Sequence, residues 1–311
     1  MLCEEWTGFC RASAWALTSL LLGCAATPNA QRATTERHEA LAANELARRT
    51  DADSLAAAGL LISINDRERA LSLLARSTAA APVRADLLWL QVRVCHEVAS
   101  CDPELLERRL RDLDPANGSG WLDALARAAS SNDASAQEEA LAAIAHSDRI
   151  DIYWTTLLGR MSAVAADTGK VSPQEALESV AGVLAAQTIP AYSPLSNACK
   201  GERLQGAAVI EQCRRIARAL ENGDSSLTAG LGSSLAQRVW PVDSPQWQAA
   251  AEARRVSEYR THLWSRYETD LPWNAQNAKN YIALCARYHR EQDLLVAQLI
   301  HVGANPDPPV N

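Results

Sequence analysis

Beyond residue 33 the chain lacks runs of Val, Ile, Thr or aromatic residues alternating with polar ones, and Ala, Leu, Arg, Glu and Gln dominate. These dominant residues enter a helix at little cost, so the pattern predicts an all-α fold. Helix starts are punctuated. Ser172-Pro173-Gln174-Glu175 is a capping box with Pro at the first helical position, and Ser135 with Glu138 is read as another. Asp102-Pro103 and Ser244-Pro245 repeat the cap-then-Pro pattern. In the second half helices are predicted from Ser172 to about Ala186, Gly201 to Leu220, Ser225 to Val239, Pro245 to Tyr267 and Asn274 to Ile300, the last broken near Arg290. The two prolines in Ile189-Pro190-Ala191-Tyr192-Ser193-Pro194 interrupt this series with a loop.

A longer period runs through the first half. Leu55, Trp89, Trp121 and Trp154 each open a helical segment and stand 34, 32 and 33 positions apart, and Pro82 and Pro115 keep the same spacing. A helix pair with a short turn occupies about that length, and each pair leaves an apolar face for its neighbour to cover. The pattern resembles the tetratricopeptide repeat. In the first unit the resemblance implies Leu55 as the bulky position and Gly59 as the small residue that lets the second helix approach. That second helix opens at Asp66 to Arg69, with Ala70 as a small contact, Leu74 as the apolar plug, Ser77 as a further small site and Pro82 at the exit. Later units depart from it: Arg93 and Leu125 stand where Gly59 stands in the first. Trp89, Trp121 and Trp154 are then repeat core, or the lining of a concave groove. After Gly169 the period fails.

At the N-terminus Arg11 precedes an apolar run from Ala12 to Leu22, too short for the ~20 residues that cross a bilayer and suited to a signal peptide. The run ends Leu21-Leu22-Gly23-Cys24, which resembles the lipobox of bacterial lipoproteins. The resemblance implies cleavage before Cys24, acylation of that cysteine and a chain held to the membrane by lipid alone. Ala25 in place of Asp implies the outer membrane, with the body facing the periplasm. Glu4 and Glu5 depart from the usual positive leader. The expected organisation is a signal peptide over 1–23, a tether and lead-in helix over 24–49, tetratricopeptide-like repeats over 50–168, a helical bundle over 169–303 and a flexible tail over 304–311. Small polar residues at 25–33 suit the flexible part of the tether. All six tyrosines lie between 153 and 288, and Trp240, Trp247, Trp264 and Trp273 fall in the last third, which predicts the heavier core in the second half.

Composition sharpens the address. The 311 residues are 48% hydrophobic with a formal charge of -7, a globular balance that argues against a nucleic-acid partner. Eight cysteines are many for a reducing cytosol. Cys3 and Cys10 leave with the signal and Cys24 is the lipid site. Cys95 with Cys101, and Cys199 with Cys213, are expected as disulfides, and Cys285 is left over and buried. Cys95, His96 and Cys101 offer three metal-ligand types within seven residues, but Cys95 and His96 point about 100° apart on a helix and no fourth ligand follows, so no metal is expected. Gly223-Asp224-Ser225 is read as a helix stop followed by a cap rather than a nucleophile turn, because no strand precedes it. Arg108-Arg109-Arg111 and Arg214-Arg215-Arg218, beside Glu107, Asp112 and Glu221, are read as solvated faces with local ion pairs. No catalytic residue or cofactor is assigned.

The function expected is a non-catalytic interaction or scaffold module of the cell envelope whose partner is an envelope protein or peptide. The alternative is a periplasmic enzyme or enzyme accessory with its site in the helical bundle.

Overall fold

The computed structural model describes residues 29–187, 190–270 and 274–309. Cys24 and the lipobox lie outside the described residues. Among those described the chain is all-helical, with fifteen α-helices and no strand. α1 (Asn29–Leu46) leads to α2 (Ala52–Ile62), α3 (Arg67–Ala80), α4 (Ala85–Cys95) and α5 (Pro103–Leu113). After a 3-10 turn at Gly118–Trp121 come α6 (Leu122–Ser130), α7 (Ala134–His146), α8 (Trp154–Asp167) and α9 (Pro173–Ala186). The remainder is α10 (Ser193–Ala198), a 3-10 turn at Gly201–Gln205, α11 (Ala207–Glu221), α12 (Ser226–Val239), the long α13 (Pro245–Asp270), α14 (Ala275–Cys285) and α15 (Glu291–His301).

Side-chain caps set most of these starts by taking up backbone N–H groups that the first turn leaves unpaired. Asp51 accepts from Ser54 N, Asp66 from Arg69 N, and Asp102 from the N–H groups of Glu104 and Leu105. Ser172 and Glu175 form the reciprocal capping box. At α7 the cap is Asp133, which accepts from Ala136 N, and not Ser135, which lies inside the first turn. The helix expected from Gly201 is divided, because Gly206 is extended (φ -97°, ψ 134°) between the 3-10 turn and α11. α1 begins at Asn29, within the segment read as a tether.

The helices enclose two apolar cores that do not follow chain order. The first joins α1 to α4 with α8, α9 and α14; the second joins α6, α7 and α10 to α12. A linear stack carries contacts between successive pairs. Here α8 and α9 return to pack on α2, and α11 packs on α7. Within the first hairpin Gly59 permits the closest approach: a Cβ there would sit 2.9 Å from Leu74 Cγ and 3.1 Å from Ala70 O. The second half does not hold the heavier core. More of the buried apolar side chains lie between Ala42 and Ala165 than beyond Gly169. Trp and Tyr keep a polar tip in reach of solvent, whereas Leu buries whole, so counting aromatics misplaced the weight of the interior.

Candidate functional site

Chemistry-bearing side chains gather at the turn between α4 and α5. Cys95 and Cys101 bridge this turn, with Cα atoms 5.4 Å apart. His96 caps α4 beside the bridge. Asp102 and Pro103 start α5 so that Glu107 faces inward with only 1% of its side chain exposed. α6 supplies Asp123 and Arg127, one turn apart and so on one helix face. His96 Nε2 stands 3.1 Å from Glu107 Oε1 and 3.5 Å from Asp123 Oδ2. Arg127 donates to both Glu107 oxygens at 2.8 and 2.6 Å. Arg93, whose side chain is 2% exposed, pairs with Asp123 from α4.

The charges in this group hold one another. Hydrogen bonds to Asp123 and then Glu107 raise the His96 imidazolium to about 9, outweighing its burial. Burial opposes the Asp123 charge, but the His96 hydrogen bond and the Arg93 charge prevail and hold the carboxyl at about 2. Glu107 is likewise kept below the ordinary carboxylate range by His96 and Arg127 against its own burial. A raised folded-state value means that the His96 contribution is fully present below pH 6.5 and is lost as pH rises through about 9. Urea midpoints are therefore expected to fall across that interval. His96→Gln should flatten the fall, and an unchanged slope would show that His96 is not the group responsible.

The nearest atoms of His96, Glu107 and Asp123 lie within 4.8 Å of one another, a spacing open to a metal. Their occupation argues for a different role. Both carboxylates are already paired with guanidinium groups, and Arg111 approaches Glu107 at 3.9 Å. A divalent cation would have to displace these positive charges. The group is therefore an ion-paired lock of α4, α5 and α6, set beside an open cleft of ≈ 830 Å³ whose wall includes His96, Cys101, Glu104, Asp123 and Arg127.

The second cysteine pair, Cys199 and Cys213, lies at bonding distance with Cα atoms 5.7 Å apart and ties the end of α10 to α11. Cys285 is buried, and burial pushes its thiol up to about 12, which suppresses the reactive thiolate. Trp89 is buried in the first core in a T-shaped contact with Tyr153, the ring centroids 6.4 Å apart. Trp121 and Trp154 are half-buried, packed against the second and the first core respectively. The three tryptophans are not brought together in one groove lining.

A second polar junction joins the cores. Ser225 caps α12 by accepting from Thr228 N at 3.1 Å. Asp224 reaches across the molecule, accepting from Ile152 N at 2.8 Å and Trp154 N at 2.9 Å. Its burial, with Asp151 nearby, pushes the carboxyl up to about 8 in spite of those two bonds. The arginine-rich faces match expectation in part: Arg214 and Arg215 pair locally with Glu211, but other members differ. Glu107 is interior rather than solvated and pairs with Arg127 of another helix, while Arg214 and Arg218 lie over the Trp240 ring at 3.9 and 5.9 Å. Comparison with protein-family models, curated proteins and solved structures found no match. Cys95-His96, the Asp102-Pro103 cap and the arginine run beside Glu107 are the sequence signals close to the lock; no spacing marks the meeting of Glu107, Asp123 and Arg127 with His96, because they come from two other helices.

Proposed function

We propose that the chain is a lipid-tethered lipoprotein of the outer membrane, facing the periplasm, that acts as a non-catalytic interaction module of the cell envelope. The observation that carries this reading is the pair of cysteine bridges built into the folded body, Cys95 with Cys101 and Cys199 with Cys213. Such bonds form and persist in oxidising compartments and contribute ~2–4 kcal/mol each, mainly by restricting the unfolded chain. The lipobox-like Leu21-Leu22-Gly23-Cys24 supports the tether. The commitment of Glu107 and Asp123 to arginines supports a structural rather than a catalytic role for the polar cluster. The same reading takes residues 50–168 as tetratricopeptide-like hairpins with Trp89, Trp121 and Trp154 as repeat core, supported in the first hairpin by the contact of Gly59 with Leu74. Its partner is an envelope protein or peptide.

Cys24→Ala is expected to move the protein from the membrane pellet to the soluble periplasmic fraction. Unchanged fractionation would remove the tether. Peptide mapping without reductant should recover the two predicted pairs, and free thiols at all four positions would remove the compartment. Crosslinking in the intact envelope should then return a defined protein partner.

A further inference from the structure

We propose that the cleft between α5 and α7 is a binding site for a carboxylate joined to an apolar group, such as the C-terminus of a peptide. This goes beyond the envelope reading and does not depend on the lipid tether. The cleft has a volume of ≈ 470 Å³ and is open to solvent. α5 presents Arg108 and Arg111, three residues apart and so on one face, while the last turns of α7 present Ala143 and His146. Pro115 and Trp121 supply further apolar wall between them.

Arg111 is already oriented for this task. Its guanidinium lies 4.3 Å from the Trp121 ring centroid and donates to Gly120 O at 3.2 Å, and 17% of its side chain remains exposed. A guanidinium held in place loses less freedom when it takes up a carboxylate, and its planar fork matches that group. Glu107 lies 3.9 Å away, but its two oxygens are engaged by Arg127 and His96. Arg108 is exposed and has no acidic partner among the described residues. His146 directs Nδ1 to Ala142 O at 2.6 Å, which leaves Nε2 as its second polar atom.

Charge decides between anions. Arg108 and Arg111 against Asp112, the one acid in the wall, leave a single positive charge among these three side chains. That balances a carboxylate. A phosphate dianion would leave excess negative charge beside Asp112. The apolar wall of Pro115, Trp121 and Ala143 then receives the group attached to the carboxylate.

The purified full chain is titrated calorimetrically with N-acetyl-Ala-Ala-Leu bearing a free C-terminal carboxylate, with its C-terminal amide, and with benzoate. Saturable binding of the free acid is expected, with the amide about tenfold weaker or more. Arg108→Gln, at an exposed position that leaves folding intact, is expected to weaken the acid about five- to tenfold. Arg109→Gln, on the same helix but outside the cleft, should leave affinity unchanged. Displacement of the peptide by benzoate would identify small apolar acids as ligands too, and binding of the peptide alone would identify a chain terminus. Absence of saturable binding by either acid, equal affinity for acid and amide, or equal loss in the Arg108 and Arg109 variants would overturn the site.

Discussion

Glu107→Ala is expected to lower the free energy of unfolding by about 2–3 kcal/mol, because it strands partly buried cations rather than removing a pair, and the 39% exposure of the Arg127 side chain lets solvent screen part of the loss. The side chain is 1% exposed, receives Arg127 on both oxygens at 2.8 and 2.6 Å, and lies 3.1 Å from His96 Nε2. Without it, the imidazolium and two guanidiniums lose their shared counter-charge, while Asp123 remains to balance only part of the set. Glu107→Gln keeps the volume and some hydrogen bonding, so its loss should be smaller. In the double variant Glu107→Leu with Arg127→Leu much of the loss should be recovered, since replacing an ion pair by apolar groups avoids its desolvation penalty. Urea unfolding of the three variants measures the series. A loss below about 1 kcal/mol for Glu107→Ala would place the pair among weak surface bridges and remove the lock.

Gly223→Ala should cost about 3 kcal/mol, at the upper end of overpacking penalties. Gly223 is buried, and a Cβ there would collide with Ile150 O and Thr228 Oγ1 and stand 2.9 Å from Thr228 Cβ. The backbone cannot retreat easily, because its neighbour Asp224 holds Ile152 N and Trp154 N, and Asp224 O accepts from Glu291 N at 2.8 Å. Glu291 in turn accepts from Ser226 N at 2.7 Å. The segment 150–154 runs between the cores, with Ile150 in the second and Ile152 in the first. A shift at Gly223 therefore loosens the connection on which both depend. Gly182→Ala is the matched control: a Cβ there meets nothing within 4 Å, and it lies inside α9. It should stabilise by about 0.4–1 kcal/mol. Equal effects of the two substitutions on the thermal midpoint would contradict the junction.

Legibility followed sequence separation. The caps at Asp102 and Ser172 act on N–H groups two or three residues away, so residue type and order nearly suffice. Ser135 was misread because Asp133, two residues earlier, offers a carboxylate to Ala136 N. The Cys95–Cys101 pair spans 6 residues and closes the turn between α4 and α5, whereas Cys199 and Cys213, 14 residues apart, sit on different elements and meet only through the fold. Arg108, Arg109 and Arg111 were visible as a run, but which of them faces a cleft depends on how α5 is turned against the 3-10 segment. The bond from Asp224 to Ile152 spans 72 residues and has no sequence signature.

Sequence by itself determined the helical class and the punctuation of most helices, since these rest on backbone propensity and on partners within a turn or two; it suggested the cysteine pairs, whose approach rests on the fold. Tertiary structure alone decided that α8 and α9 close back on α2, that Glu107 is interior, and that His96 meets carboxylates from two other helices. The physical reason is that a side chain's partner is set by the face its helix buries. That face is chosen by the summed apolar contacts of distant elements, which no local pattern encodes.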